Sequence, residues 1–252
     1  MRICVAGVPC VLGKPTVEAV RSAGHDAVVL SRSHGVDLVS GRGLEAALTG
    51  ADAVIDVVSV ETLKASTAIE FFTAATGNLL AAAADAGVGH VVLLSIVGID
   101  RIPYDYYAGK VAQEKLVSAS AVPSTILRAT QFHEFAAQMF ARAKAGPLHL
   151  APRARTQPVA AREVAERLVA LATGDARGRV PDLAGPREEQ LADMVRAYAR
   201  RIGYRGWIPA LNVPGPQMAG MRAGKALPGP DAIRGTQTFA EWLAEAVPAR
   251  AD

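Results

Sequence analysis

The sequence predicts an α/β fold with a doubly wound parallel sheet and a small C-terminal lobe. Three observations lead to this prediction: apolar runs alternate with helical patterns, half of the 252 residues are apolar while 5% are aromatic, and the first apolar run ends in a glycine-bearing turn. Strands that are buried on both faces are nearly continuous in Val, Ile and Leu. Repeated βα units of this kind form a parallel sheet with right-handed crossovers.

The apolar runs place six strands in the first half of the chain. They cover residues 2–6, 27–31, 36–39, 53–58, 90–96 and 124–127. The helical patterns between them cover residues 11–23, 43–48, 65–86 and 108–119. We expect the Rossmann-like strand order 3-2-1-4-5-6, which brings a ligand to the carboxyl ends of the strands.

The pattern changes after Arg128, where Gly and Pro become frequent between the helical stretches. Helices are predicted at 133–145, 162–172 and 188–201, and from residue 237 onwards. We therefore predict a dinucleotide-binding core over residues 1–130 and a mainly helical, substrate-binding lobe over residues 131–252. The core and the lobe are expected to form one structural unit.

The charge of the chain argues against a nucleic-acid partner. The net charge is +3, and most of the clustered basic residues are interpreted as solvated helix faces. These basic residues form two loose groups, namely Arg142, Lys144, Arg153 and Arg155, and Arg196, Arg200, Arg201 and Arg205. The expected partner is a small-molecule substrate.

Other features of composition predict a cytoplasmic protein. No apolar run approaches the roughly 18 residues of a membrane helix, and no basic region with a cleavage site precedes the first strand. Cys4 and Cys10 are the only cysteines, so no disulfide framework is expected. The alanine-rich helices at 65–86 and 108–119 fit a homodimer interface and fit packing on the sheet equally well.

The turn after the first strand is the first candidate site. Dinucleotide-binding folds place three glycines here against the cofactor pyrophosphate, because a helix N-terminus offers unpaired N–H groups and a positive dipole end. Two of the glycines are present, whereas Cys10 replaces the middle one and Pro9 removes a donor. Cofactor binding is accordingly assigned to Gly7, Pro9, Cys10, Val11, Leu12 and Gly13.

Cys10 leaves three interpretations open. The loop shifts and holds the phosphates more loosely, or dinucleotide binding is impaired or lost. In the third interpretation Cys10 is a reactive thiol, since a helix N-terminus lowers a thiol pKa.

The end of the second strand predicts which dinucleotide is bound. It carries Ser31, Arg32 and Ser33, with no acidic residue to hold the ribose 2′-hydroxyl of NAD. A guanidinium recognises phosphate in a bidentate fork. These three residues therefore favour the 2′-phosphate of NADP(H).

The candidate catalytic residues are Tyr106, Lys110 and Ser95. Residues four apart share a helix face, so the Lys110 ammonium can lie beneath the Tyr106 phenol. A nearby cation favours phenolate and lowers the phenol pKa, as a general acid or base requires. Ser95 ends the fifth predicted strand and is placed to hold a substrate oxygen.

Residues after the sixth strand are candidates for a substrate pocket. They are Gln131, Phe132 and His133, and for His133 a packed position is the alternative. The histidines lack metal-ligand spacing, and neither an HExxH nor a CxxC pattern occurs. No metal is expected.

These residues, with the segment STILRATQFHEF from Ser124 to Phe135 and the terminal TFAEWL, carry a family resemblance. Over nearly its whole length, the chain resembles the NmrA-like, atypical branch of the short-chain dehydrogenase/reductase superfamily. The resemblance implies a Rossmann domain, usually NADP-preferring, with a small C-terminal lobe. It further implies Tyr106 as acid, Lys110 as its activator and ribose ligand, and Ser95 as partner of the carbonyl oxygen.

Three functions remain open from the sequence. The first is an NADPH-dependent reductase of a carbonyl, quinone or conjugated small molecule, with Tyr106 as general acid. The second is a redox-neutral cyclase, isomerase or lyase on a degenerate cofactor site, which Cys10 motivates. The third is a non-catalytic NADP-sensing regulator.

Overall fold

The computed structural model describes residues 1–8, 10–62, 64–102, 105–146 and 148–248. The helices are α1 (Gly13–Ser22), α2 (Leu44–Leu48), α3 (Ala65–Asp85), α4 (Asp105–Ala119), α5 (Phe135–Arg142), α6 (Ala161–Ala172), α7 (Leu191–Arg201), α8 (Pro216–Arg222) and α9 (Phe239–Ala246). The strands are β1 (Arg2–Ala6), β2 (Asp26–Leu30), β3 (Ala53–Asp56), β4 (His90–Ile96), β5 (Ser124–Ala129), β6 (Lys144–Ala145), β7 (Leu148–His149), β8 (Ala151–Pro152), β9 (Arg155–Thr156), β10 (Gly178–Arg179), β11 (Leu183–Ala184), β12 (Glu189–Gln190), β13 (Ala210–Leu211) and β14 (Ile233–Arg234). No helix within these ranges is long and apolar enough to cross a lipid bilayer.

The chain divides into two compact units. The first comprises Met1–Asp100, Tyr104–Arg128 and Ala161–Pro181, and the second comprises Arg101–Pro103, Ala129–Ala160 and Asp182–Asp252. The first unit thus includes α6 and β10, which the sequence boundary at residue 130 assigned to the lobe. The reason is packing, since α6 lies on α1 and also contacts β3 and β4.

A parallel sheet forms the centre of the first unit. Its strand order is β2-β1-β3-β4-β5, with β10 paired to β5. Ile3 of β1 is in register with Ala27 of β2 and with Ala53 of β3, and both pairs of strands are parallel. These strands are apolar along their length because helices α1, α3, α4 and α6 shield the sheet from water. The predicted doubly wound α/β fold is confirmed.

The predicted third strand at residues 36–39 does not form. Gly35 has a φ of +81° and ends a short 3-10 turn, and the Asp37 carboxylate then accepts a hydrogen bond from the Val39 N–H at 3.0 Å. A side chain that binds the backbone two residues on closes an Asx turn, which competes with strand pairing. The segment is therefore a turn between β2 and α2, although Val36 is buried.

Helix α4 is fixed in two ways. Gly109 lets it approach α3 closely, because a Cβ at this position would lie 2.7 Å from the Phe72 ring. Arg128 of β5 binds both carboxylate oxygens of Glu114 on α4 at 2.7 Å each, and also Asp100 at 3.0 Å. A bidentate pair of this kind restricts orientation as well as position. The side chains of α4 are thereby held against β4.

The second unit combines helices with short strand pairs. Helix α5 packs on α7, and α7 also contacts α9. Among its strands, β11 and β14 are parallel. Helix α9 begins with a capping box in which Thr238 and Glu241 satisfy each other's backbone N–H groups.

Candidate functional site

The glycine turn joins β1 to α1 and packs tightly on the end of β3. Gly7 has a φ of +97°, and a Cβ there would lie 2.7 Å from the backbone of Val57 and Val58. At Gly13, a Cβ would lie 2.2 Å from the Cα atom of Val8. The two glycines are therefore required by the close approach of backbone segments, as the first and third glycines of such a turn are.

The Cys10 side chain points back into the protein. Its Sγ atom donates to the Val57 carbonyl at 3.3 Å, and its N–H donates to the Gly7 carbonyl at 3.0 Å. Burial raises the pKa of the thiol, whereas the N–H groups of Leu12 and Gly13 lower that pKa by a smaller amount. The thiol is therefore neutral at pH 7, which argues against the reactive-thiol interpretation.

The other predicted residues of the turn have different surroundings. The Leu12 side chain is buried in the core, and the Val11 side chain is 39% exposed. Pro9 lies outside the described residues. The backbone N–H groups at the start of α1, rather than these side chains, are what the turn can offer to a phosphate.

Tyr106 lies at the carboxyl end of β3, on the first turn of α4. Its hydroxyl is 3.1 Å from the Ser59 Oγ atom, and its ring meets the Phe72 ring edge-on with centroids 5.7 Å apart. Ser59 follows β3 by three residues. The phenol is thus placed at the edge of the sheet where doubly wound proteins bind ligands.

Lys110 lies one helical turn beyond Tyr106 and is almost fully buried. Its Nζ atom donates to the Leu94 carbonyl at 2.8 Å and to the Gln113 Oε1 atom. It also lies 5.0 Å from the centroid of the Phe72 ring. Phe72 therefore contacts both members of the predicted pair, while these hydrogen bonds direct the ammonium towards β4 and Gln113.

A buried polar network continues from Gln113. Its Nε2 atom donates to the Asp56 carboxylate at 3.0 Å and to the Thr76 hydroxyl at 2.9 Å. The Thr76 hydroxyl donates to the same carboxylate at 3.3 Å, and the Val58 N–H donates to it at 2.9 Å. Gln113 thus links a buried carboxylate to a buried ammonium through hydrogen bonds that each group requires.

Burial shifts both charged groups towards their neutral forms. Desolvation lowers the pKa of Lys110 to about 8, although the charges of Asp56 and Glu114 act in the opposite direction. Desolvation raises the pKa of Asp56, against the effects of the Lys110 charge and of three hydrogen bonds. A lysine whose pKa lies near working pH in a buried position is typical of functional sites.

Ser95 follows the residue whose carbonyl holds Lys110. Its exposed fraction is 1%, and its Oγ atom has no hydrogen-bond partner among the described residues. A buried hydroxyl without a partner lowers stability, so this oxygen is available to a bound group. Its contact with a substrate requires a local movement, and its catalytic role stays a prediction.

A hydroxyl and imidazole cluster lies at the end of β2. The Ser31 Oγ atom is 2.9 Å from the Ser33 Oγ atom and 2.8 Å from the Nδ1 atom of His34. Arg32 is exposed, and within the described ranges its guanidinium has no hydrogen bond or ion pair. The structure therefore brings the three predicted residues together and adds His34, which sequence reasoning missed.

The predicted pocket residues lie in the second unit. His133 is fully buried, with its ring against Phe239 and Trp242 of α9 and its Nε2 atom 3.2 Å from the Gln237 carbonyl. His133 thus takes the packed position that was left open as the alternative, and its contact with a substrate stays a prediction. Gln131 and Phe132 are half-buried, and their substrate contacts stay predictions.

Comparison with protein families identifies the family of this chain. A family model described as NAD(P)H-binding matches residues 30–175. The chain belongs to this NAD(P)H-binding family. The match confirms the predicted class of cofactor and begins after the glycine turn. Among proteins with curated functions, none matches the sequence significantly.

Solved structures share the fold of this NAD(P)H-binding chain at low identity. The NADPH-dependent quinone oxidoreductase QOR2 of Escherichia coli, complexed with NADPH, is 17% identical, with a TM-score of 0.74 over 97% of this chain and 99% of that one. The triphenylmethane reductase of Citrobacter sp., complexed with NADP(H), is 16% identical, with a TM-score of 0.73 over 98% and 100%. A short-chain dehydrogenase/reductase superfamily protein of Agrobacterium tumefaciens is 20% identical, with a TM-score of 0.70 over 99% and 97%. These likenesses show that the chain shares the fold of these proteins, and the family match shows that it is NAD(P)H-binding.

Sequence reasoning did not identify Gln113, Thr76 and Ser59 as parts of the site. Gln113 follows Lys110 by three residues, which is a spacing that joins side chains on one helix face. That spacing was a usable signal, but a polar residue on a helix most often faces water. Thr76 and Ser59 carry no local signal, since only the packing of α3 and α4 on the sheet brings them to the site.

Proposed function

We propose that this NAD(P)H-binding protein is an NADPH-dependent reductase of a carbonyl, quinone or conjugated small molecule, with Tyr106 as general acid. The observation that carries the proposal is the position of the Tyr106 hydroxyl. It lies at the carboxyl end of β3, 3.1 Å from the Ser59 Oγ atom, with the buried Lys110 one helical turn away. A proton donor at this edge of the sheet faces the region where a nicotinamide is bound in doubly wound folds.

The residues present fit a dinucleotide. The two glycines allow the tight turn, and the N–H groups at the start of α1 suit the pyrophosphate. The exposed Arg32, which has no partner in the described ranges, together with Ser31 and Ser33, suits the 2′-phosphate. Arg32, Ser31 and Ser33 favour NADPH over NADH, because the 2′-hydroxyl of NADH carries no charge for the guanidinium to bind.

Bound NADPH supplies a hydride to the substrate. In the proposed reaction the Tyr106 hydroxyl would donate a proton to the substrate oxygen on which negative charge develops. The positive charge of Lys110, one helical turn away, would stabilise the Tyr106 phenolate, and the Ser95 hydroxyl would reach the substrate oxygen after a local movement. The products are the reduced substrate and NADP⁺, and the phenolate of Tyr106 regains its proton from solvent.

One observation favours a second candidate, a redox-neutral cyclase, isomerase or lyase. The sulfur of Cys10 lies close to the N–H groups of Leu12 and Gly13 at the start of α1, and the Gly13 N–H already donates to the Cys10 carbonyl at 3.1 Å. A dinucleotide that binds weakly leaves the acid of the site available for chemistry without hydride transfer. Turnover without consumption of NADPH would distinguish this candidate.

The test is a cofactor titration followed by an activity assay. We expect NADPH to raise the melting temperature more than NADH does, and we expect NADPH oxidation with members of a quinone and aldehyde panel. Tyr106→Phe should lower the rate by about 10²- to 10⁴-fold, which is the usual contribution of a general acid. Tyr107→Phe is the matched control, because Tyr107 is a neighbouring, buried tyrosine and should retain the rate.

Each contrary result has a distinct meaning. Absence of any effect of millimolar NADPH would exclude both the reductase and an NADP sensor. Binding without turnover on any substrate would favour the sensor. Turnover that survives in Tyr106→Phe would show that another group donates the proton.

A further inference from the structure

The second unit contains a wide cleft that the proposed reductase does not use. Its volume is about 810 Å³, and it is formed by the last turns of α7 and the segment 203–208 that follows. Ligand sites for small molecules have volumes of roughly 300–1,000 Å³. The cleft is therefore large enough for one mononucleotide.

Four arginines line this cleft, and no carboxylate is among its lining residues in the described ranges. Two of the four are held in place by backbone carbonyls. Arg196 donates to the Ile208 carbonyl at 3.1 Å, and Arg201 donates to the carbonyls of Val247 at 2.6 Å and Ala244 at 2.8 Å. These contacts fix two positive charges in the wall of the cleft.

The remaining arginines, Arg200 and Arg205, are exposed. The Arg200 guanidinium has no hydrogen bond or ion pair to any described residue. Asp193 lies 3.7 Å from Arg196 and is itself 71% exposed. An exposed pair of this kind is weak, so the cleft keeps a strong positive potential that suits a polyanion.

An exposed aromatic ring lies among these charges. Trp207 is 73% exposed, more than any other large hydrophobic residue in the described ranges. The loop that presents it is ordered around Tyr204, whose ring contacts Phe140 and His149. A Cβ at Gly206 would lie 2.3 Å from the Tyr204 hydroxyl, so a larger residue there would have to displace the Tyr204 ring.

We propose that this cleft binds a nucleoside di- or triphosphate, with the base stacked on Trp207 and the phosphates held by Arg200 and Arg205. Indole rings stack on planar bases, and guanidinium groups bind phosphate through charge-assisted hydrogen bonds. The arginine group that the sequence assigned to solvated helix faces therefore becomes a ligand site. Its lining residues all lie within 196–208, and none of them is among the residues proposed to hold NADPH.

The experiment uses Trp207 as a local probe. The chain has two tryptophans, and in Trp242→Phe only Trp207 remains to report. We expect ATP to quench its fluorescence in a saturable way, while adenosine and tripolyphosphate each bind at least about tenfold more weakly, because each lacks one half of the recognition. Calorimetric titration of the unmodified chain and of Trp207→Ala repeats the measurement if Trp242→Phe does not fold.

Substitutions then assign the phosphate contacts. Arg200→Gln should weaken ATP binding about tenfold, because one charge-assisted hydrogen bond is lost. Arg187→Gln is the matched control, since Arg187 is an exposed arginine of the same unit that does not line the cleft. The proposed cofactor contact Arg32 serves as a second control, and Arg32→Ala should leave the quenching unchanged.

Three results would overturn the proposal. One is the absence of saturable quenching, or of calorimetric heat that depends on Trp207, at millimolar ATP. Another is equal affinity for tripolyphosphate and ATP, which would show a polyanion patch without stacking. The third is much tighter binding of a single-stranded oligonucleotide than of ATP, which would indicate a nucleic-acid surface. None of these results depends on whether NADPH is oxidised, so they are distinguishable from failure of the proposed reductase.

Discussion

Two cations of the first unit, Lys110 and Arg32, are both assigned to the cofactor site, and the fold treats them in opposite ways. Lys110 is 3% exposed and is bound to the Leu94 carbonyl and to Gln113. Arg32 is exposed and has no partner in the described ranges. A buried charge must be compensated by the fold itself, whereas an exposed charge keeps its hydration until a ligand replaces it. The comparison therefore separates a group that the fold itself must stabilise from one that is proposed to serve recognition alone.

The largest effect is expected from Lys110→Met. Removing the ammonium takes the donor away from the Leu94 carbonyl and Gln113 and leaves the Asp56 carboxylate buried without the charge that acts on it; removing one partner from a buried charged network costs about 3–5 kcal/mol of unfolding free energy. Urea unfolding at pH 7 measures this loss. Arg32→Ala is the control and should change the stability by less than about 0.5 kcal/mol.

The double variant Asp56→Asn/Lys110→Met sharpens this prediction. With both charges removed, the Gln113 amide can turn so that its Oε1 atom accepts from the new amide nitrogen at position 56, and most of the lost stability should return. A double variant as unstable as the single one would show that Lys110 acts through packing alone.

The second-largest expected effect is a pH dependence of the free energy of unfolding that arises from the buried Lys110. The pKa of Lys110 is lowered by burial from 10.5 to about 8, so the folded chain binds this proton more weakly than the unfolded chain does. Between pH 8 and 10.5 the unfolded state holds more protons, and raising the pH there favours the folded state. Below pH 8 Lys110 is protonated in both the folded and the unfolded state, so burial of its ammonium lowers the free energy of unfolding by the full amount.

The measurement compares the free energy of unfolding of the unmodified chain with that of Lys110→Met across this range. We expect the difference between them to grow in favour of the unmodified chain as the pH rises from 8 to 10.5. A difference that is constant with pH would mean that the ammonium is not desolvated in the folded state.

The sequence and the structure agree best where local spacing decides the outcome. The strands of the first unit follow from their apolar runs, and the spacing from Tyr106 to Lys110 follows from helical periodicity. The turn at 36–39 was missed because the side chain of Asp37 binds the backbone of Val39, which apolar periodicity does not register. Similarly, α6 belongs to the first unit because it packs on α1, and no short sequence pattern encodes this packing.

The site shows the same limit. Asp56 is an acidic residue in a buried strand, and the sequence leaves open whether it is paired or exposed. Its partners Thr76 and Gln113 lie 20 and 57 residues away, so only the assembled fold identifies them. In the second unit, His133 meets Phe239 and Trp242 across about a hundred residues for the same reason.

The third effect concerns recognition by the exposed cation. Arg32→Ala should weaken NADPH binding about 10- to 100-fold, because a charge-assisted pair with the 2′-phosphate contributes roughly 1.5–3 kcal/mol. Binding of NADH, which lacks that phosphate, should change little. Calorimetric titration with both cofactors measures the ratio, and an equal loss for NADPH and NADH would remove Arg32 from the 2′-phosphate site.

The smallest effect is expected at Cys10. Its side chain is intermediate between the buried Lys110 and the exposed Arg32, because it is half-buried and bound to the Val57 carbonyl. Cys10→Ala removes the sulfur from the N–H groups at the start of α1 and keeps the Cβ atom. A helix N-terminus contributes about 0.3–1 kcal/mol to the binding of a negative charge, so NADPH affinity should rise about two- to fivefold. Cys10→Ser is the control, because its hydroxyl keeps a polar atom near those N–H groups and should leave the affinity close to that of the unmodified chain. An increase of several orders of magnitude in Cys10→Ala would instead show that the cysteine blocks the dinucleotide, and the redox-neutral function would then be favoured over the reductase.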